Sequence, residues 1–171
     1  MAVDKSQALL KVIDKIPTFA GLGPESTRLI LGLCEFRAVE AGQTVCRAGG
    51  QSDEMYVLLS GQLAVLNEDQ VQLAAISPVA PVGEMGLITG QPRSATVRAA
   101  ARANLLVIKK AGFDRLMRSN GVLCAQVFRN VIQTMARRLD DSRQTQRRLH
   151  DECDQLAQSL RSLQEERDGG G

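Results

Sequence analysis

GEMGLITGQPRSATV, residues Gly83 to Val97, places one carboxylate, one guanidinium and one hydroxyl around a short glycine-rich turn. That set suits a small ligand carrying both a sugar diol and a phosphate. Glu84 can accept hydrogen bonds from a ribose hydroxyl. Arg93 can grip a phosphate through its planar fork, a bidentate and charge-assisted contact. Ser94 adds a hydroxyl. Gly83 and Gly86 let backbone N–H groups approach closely, because neither carries a side chain. A helical turn over Met85 to Ile88 would aim further N–H groups at an anion. The same residues also fit a plain hairpin with a surface Glu and Arg.

The stretch resembles the phosphate-binding cassette of cyclic nucleotide-binding domains. That pattern runs Gly-Glu-Leu/Met-Ala/Gly-Leu, a short gap, then Pro-Arg-Ser/Ala-Ala-Thr-Val, and this chain matches it at nearly every position. The resemblance implies that Glu84 holds the ribose 2′-hydroxyl and Arg93 the cyclic phosphate. Ser94 and the backbone of Gly83, Met85 and Ala95 would complete the cradle. The spacing from Glu84 to Arg93 is one residue shorter than in the catabolite-activator branch and closer to the kinase-regulatory and channel branches. In this family cGMP-selective cassettes often have threonine after the arginine, whereas serine is usual in cAMP sites. The Ser94 hydroxyl can also meet the guanine amino group as threonine does, so both ligands fit; cAMP is favoured, with cGMP the second choice, and no cofactor is implied.

Upstream of the cassette the chain is divided by glycine. Ala8 to Ile16 reads as an amphipathic helix ended by Pro17, and Pro24 opens a second helix through about Leu33. From Glu35 the segments become short and alternating, with turn signals at Ala41-Gly42, Gly49-Gly50 and Ser60-Gly61. Strands are expected at Tyr56 to Leu59, Leu63 to Leu66, Val71 to Ile76, Thr96 to Ala99 and Leu105 to Ile108, followed by a short helix over Gly112 to Arg118. Many short strands with glycine turns predict an α+β chain built on an antiparallel β-roll, or jelly roll. The SDEMYVLLSGQLAVL segment also resembles the family's β-roll.

From Val122 to about Glu166 neither glycine nor proline interrupts the chain. Apolar residues recur at steps of four and three: Phe128, Ile132, Met135, Leu139, then Leu149, Cys153, Leu156, Leu160 and Leu163. Ser142 and Gln146 fill the remaining seam positions. The heptads predict a long coiled-coil helix, roughly 60–65 Å at 1.5 Å per residue. A small β-roll cannot cover so long a seam, so the simplest partner is a second copy in a parallel homodimer. A lone charged helix supported by i,i+4 pairs is the alternative. The segment MARRLDDSRQ, Met135 to Gln144, resembles the dimer helix of the catabolite-activator branch, in which two hydroxyl residues shortly afterwards contact the adenine base. Those positions fall on Ser142 and Arg143. Ser142 keeps the hydroxyl and Arg143 departs from the pattern, though its guanidinium can lie flat on a purine. The expected organisation is 1–120 for the N-terminal helices and nucleotide-binding roll, 121–167 for the dimerisation helix, and 168–171 for a disordered tail.

Composition narrows the function. The chain has 171 residues, 44% of them hydrophobic, which is enough for one core. A net charge of +2 is no nucleic-acid footprint, and aromatic content of 3% gives no base-stacking platform. No helix-turn-helix follows the heptads, so DNA is not an expected partner. Arg143, Arg147 and Arg148 are offset by Asp140, Asp141, Asp151, Glu152 and Asp154, as on a solvated helix face. The four cysteines, Cys34, Cys46, Cys124 and Cys153, lack metal spacing and suit free thiols in a reducing compartment. No leader or membrane span is evident, so a cytoplasmic protein is expected. His150 is the only histidine, and no catalytic set or metal site can be assembled around it. The expected function is a regulatory receptor that signals to a downstream protein by ligand-dependent helix movement. The alternative is a scaffolding coiled coil with a vestigial pocket.

Overall fold

The computed structural model describes residues 2–168. Contacts divide the chain between Asn130 and Val131 into two compact units. The first begins with α1 (Ala2–Asp14), a 3-10 turn at Pro17–Phe19 and α2 (Pro24–Gly32). Pro24 occupies the start of α2, where its missing N–H has no helical partner to lose. Six strands follow: β1 (Cys34–Val39), β2 (Thr44–Cys46), β3 (Glu54–Leu66), β4 (Gln72–Ile76), β5 (Ala80–Val82) and β6 (Thr96–Lys109). The short helix α3 (Glu84–Thr89) lies between β5 and β6, and α4 (Lys110–Ser119) leads into α5 (Gly121–Asp168).

The strands form one antiparallel sheet with the path β1-β6-β3-β4, while β2 pairs with β6 and β5 with β3. The chain is thus the α+β, antiparallel β-roll with flanking helices and a long C-terminal helix that its sequence predicts. Two pairs of expected strands are each one continuous strand. Ser60-Gly61 is not a turn: it lies inside β3, a single strand of 13 residues. Likewise Thr96 to Ala99 and Leu105 to Ile108 are two ends of β6, which runs for 14 residues. The strands β1, β2 and β5 have no counterpart among the strands that the sequence predicts.

Gly61 explains the first discrepancy. The register between β3 and β6 shifts on either side of Ser60 and Gln62, as at a β-bulge. Tyr56 and Leu58 point into the roll before the shift and Leu63 does so after it, so the inward set passes from even to odd positions. Gly61 has φ +90°, and a Cβ there would run into the Arg102 carbonyl oxygen and Ala103. Only glycine accommodates both the positive φ and the close backbone approach.

The roll interior is aliphatic apart from one ring: Val39, Tyr56, Leu58, Leu63, Val82, Val97, Leu105 and Val107 are buried together. Met55, Val57, Leu106 and Ile108, on the opposite strand faces, are fully buried as well. The helices account for that second layer, with Ile13, Ile16, Phe19, Ile30 and Phe113 buried and the Phe19 and Phe113 rings 6.4 Å apart. The start of α5 is tied to the N-terminal turn by side-chain amides. Asn130 donates to the carbonyls of Thr18 and Ala20 at 3.2 and 2.8 Å, and Gln126 donates to that of Gly21 at 3.2 Å.

The helix α5 has 48 residues, about 72 Å at the helical rise. Leu123 and Val127 are buried. The heptad stripe lies on a different face: Phe128, Ile132, Met135, Leu139, Leu149 and Leu156 are each at least 45% exposed. Cys153 is exposed too. Asp168, assigned from sequence to a disordered tail, is the last residue of α5, and the remaining tail residues 169–171 lie outside the described residues.

Candidate ligand-binding site

The cassette is organised by its glycines. β5 delivers the chain to Gly83, which caps α3 at φ +81°, and a Cβ there would overlap Arg93 Nη1. Gly83 is therefore needed both for the left-handed turn and for the guanidinium beside it. The Leu87 N–H donates back to the Gly83 carbonyl at 3.1 Å, and the buried Leu87 side chain anchors the helix. Gly86 packs on the Ser52 side chain, which leaves no space for a Cβ. The turn expected over Met85 to Ile88 is the centre of α3.

Arg93 is stitched to a second glycine pair. Its carbonyl accepts from the Gly49 N–H at 2.8 Å, and its own N–H donates to the Gly50 carbonyl at 3.0 Å. The side chain turns inward and is buried. Nη2 donates to the Glu54 backbone carbonyl, and the guanidinium carbon sits 5.5 Å from the centre of the Tyr56 ring. Nε and Nη1 are buried without a hydrogen-bond partner. A buried cation with two unused donors is costly unless an anion completes it. Glu84, at the start of α3, is likewise buried.

The remaining predicted residues are placed differently. Met85 and Ala95 are half-buried, and Ser94 is exposed beside Arg93. Ser142 and Arg143 belong to the second unit and are exposed on α5. Arg143 faces Asp140 at 3.9 Å, and Arg148 pairs with Glu152 and His150 with Asp154 at one-turn spacing. A cleft of about 230 Å³ opens next to α3, lined in part by Gly49, Gly50, Ser52, Pro92 and Lys110. Lys110 donates to the Leu87 carbonyl at 2.6 Å, which fastens α3 to the start of α4.

Several residues around Arg93 carry no local sequence signal. Arg37 binds the Glu54 carboxylate through both terminal nitrogens at 2.8 and 2.7 Å, and Tyr56 donates to the same carboxylate at 2.8 Å. Ser52 Oγ is buried without a partner. Ser52, Glu54 and Tyr56 lie about forty positions before Arg93 and Arg37 still further back, and strand pairing together with the Gly49 and Gly50 backbone bonds brings this part of the chain to it. Burial first, and then the bond to Glu54, pushes the Tyr56 phenol up to about 12, so it stays a neutral donor. The Arg37 hydrogen bonds, followed by that of Tyr56, hold the Glu54 carboxyl below its ordinary range.

A depressed carboxyl stabilises the fold above the ordinary glutamate pKa and loses that contribution as pH falls through the lowered value. Glu54→Gln should therefore melt slightly below the parent at pH 7, by under about 1 kcal/mol for so accessible a pair. The gap should close on acidification below about pH 4. Melting curves of both proteins from pH 7 to 3 check this, and a gap constant across the range would refute the linkage.

Residues 36–120 match the family described as the cyclic nucleotide-binding domain. The β-roll belongs to that family. A cyclic nucleotide-gated potassium channel of Mesorhizobium japonicum is 37% identical over 119 residues, covering 70% of this chain. The chain spans 32% of that relative's length. A solved cyclic nucleotide-binding domain from Methylobacillus flagellatus shares the fold with TM-score 0.68 at 23% identity, covering 82% of each chain. The Thermus thermophilus catabolite activator protein has TM-score 0.62 at 27% identity, covering 74% of this chain and 59% of its own. Among the described residues no helix is long and apolar enough to cross a membrane, and no group of three His, Cys, Asp or Glu side chains could hold a metal ion.

Proposed function

We propose that this chain is a non-enzymatic, cytoplasmic receptor module for a cyclic nucleotide, cAMP in preference to cGMP. The observation that carries this reading is the buried Arg93 guanidinium, with two donors unused, beside the glycine turn that opens the cassette. Arg93 takes the cyclic phosphate, helped by Ser94 and the backbone of Gly83, Met85, Gly86 and Ala95. Glu84 takes the ribose hydroxyl. Residues 1–120 act as the receptor and 121–167 as the dimerisation helix. Ser142 and Arg143 are proposed base contacts, on the resemblance of their helix segment to the catabolite-activator branch. Ligand then acts by differential contacts in two helix arrangements, a population shift that a downstream protein reads. Competition between cAMP and cGMP at equal concentration tests the ligand order, and a tighter cGMP would reverse it.

The exposed heptad stripe on α5 supports a parallel homodimer. In register, the two Cys153 residues face each other across the axis, near the Cα separation that a disulfide requires. Mild oxidation in vitro should give a covalent dimer on non-reducing gels, and Cys153→Ser should abolish it. A dimer in solution with no Cys153-linked species would count against the parallel arrangement.

A further inference from the structure

Tyr56 stands out as the lone aromatic in the roll interior. Two guanidiniums lie over its ring, Arg93 at 5.5 Å and Arg37 at 5.8 Å from its centre. Its Cα pairs with that of Val82, the residue before Gly83, so the ring sits at the root of the cassette. Its hydroxyl donates to the Glu54 carboxylate, and the Glu54 backbone carbonyl accepts from Arg93 Nη2. The ring is thus fixed at both ends: by strand pairing at its backbone and by a charge-assisted bond at its hydroxyl. Arg93, by contrast, has one hydrogen bond for three nitrogens. The Gly83 backbone crowds Nη1, and the negative face of the aromatic ring is the attractive contact available to orient the rest of its guanidinium.

We propose that Tyr56 is a positioning residue for the ligand site, its ring holding the Arg93 guanidinium in place for the ligand's phosphate. This rests on the cyclic-nucleotide reading above. The role needs an aromatic face more than a hydroxyl. Tyr56→Phe keeps the face and loses only the bond to Glu54, whereas Tyr56→Leu keeps an apolar core residue and loses the face. An aliphatic replacement frees Arg93 to sample other rotamers, and the cost of ordering it then falls on ligand binding.

Two measurements on the full chain test this. In the ligand-free protein, the Arg93 Nε–H proton resonance should be shifted upfield by the ring. The shift should persist in Tyr56→Phe and vanish in Tyr56→Leu. An unshifted resonance in the parent or in Tyr56→Phe would overturn the platform whether or not any nucleotide binds. In NMR titrations with cAMP, which reach millimolar affinities, Tyr56→Phe should bind within about threefold of the parent and Tyr56→Leu about tenfold more weakly. In an Arg93→Ala background the Tyr56→Leu change should cost less than about twofold, because the residue it acts through is gone. Equal losses in both backgrounds would mean that Tyr56 serves only the core. Should Tyr56→Leu fail to fold, the Nε–H shift in the parent and Tyr56→Phe still decides. A parent that binds no cyclic nucleotide would defeat the functional reading and the positioning role with it, while the shift reports separately on the ring contact.

Discussion

Arg93→Ala is expected to weaken cAMP binding by roughly two to four orders of magnitude, with little loss of stability in the ligand-free protein. A phosphate drawn into a sheltered site and left without its cation costs about 3–5 kcal/mol, the usual penalty for breaking one side of a buried charge pair. Stability should hold because Arg93 contributes little to it without ligand. Two of its nitrogens are buried and unbonded, and a buried cation with idle donors is a cost to the fold. Ser94, exposed at the edge of the cassette, should matter far less: Ser94→Ala loses about 0.5–1.5 kcal/mol. Glu84→Ala should fall between them at about 1–3 kcal/mol, as for a hydrogen bond involving a charged group. Calorimetry on the three variants, with a thermal melt of each without ligand, checks the ranking. An Arg93→Ala protein that binds like the parent would remove the basis for the cassette's role. One that melts well below it would make Arg93 a structural residue instead.

The largest stability loss should come from a residue remote from any ligand. Gly61→Ala forces a side chain into the positive-φ region, which costs about 1–3 kcal/mol. It also drives a Cβ into the Arg102 carbonyl and Ala103, both on the neighbouring strand, so the sheet itself must move. Such overpacking typically adds about 1–3 kcal/mol. A combined loss of about 3 kcal/mol or more would lower the melting temperature by roughly 6–12 °C for a chain of this size. Gly42 provides the control. It has φ +84°, but a Cβ there would have nothing within 4 Å. Gly42→Ala should therefore show the strain without the collision, and melt well above Gly61→Ala. Equal losses at both positions would mean that φ alone, and not the bulge contact, sets the cost.

Gly61 also marks where sequence patterning stops being readable. Alternation predicts strands well while the register is constant, but a bulge resets the alternation without ending the strand. Ser60-Gly61 therefore imitated a turn, and β3 and β6 were each divided into two. β1, β2 and β5 are edge or short segments whose partners lie far along the chain, so their pairing leaves little local trace. The cassette was legible for the opposite reason. Its glycines, carboxylate and guanidinium lie within fifteen consecutive residues, and the local backbone imposes their geometry: Gly83 caps α3 and Gly90 ends it, both with positive φ. The surroundings of Arg93 were not legible. Arg37, Glu54 and Tyr56 reach it through the pairing of β1, β3, β5 and β6, and an Arg or a Tyr in a strand has no spacing that announces a partner so far along the chain. The heptads of α5 were visible because a helix expresses its period locally, although the buried Leu123 and Val127 show that its first turns serve a second face.

Nucleotide binding is tested most directly by isothermal titration calorimetry of the full chain with cAMP, repeated with cGMP. Saturable heat approaching one nucleotide per chain is predicted, with cAMP the tighter ligand. Melting should also rise with ligand, by about 2.7 kcal/mol of stability at a hundredfold excess over Kd. No heat and no thermal shift with either nucleotide would contradict the assignment of this cassette as a working receptor site.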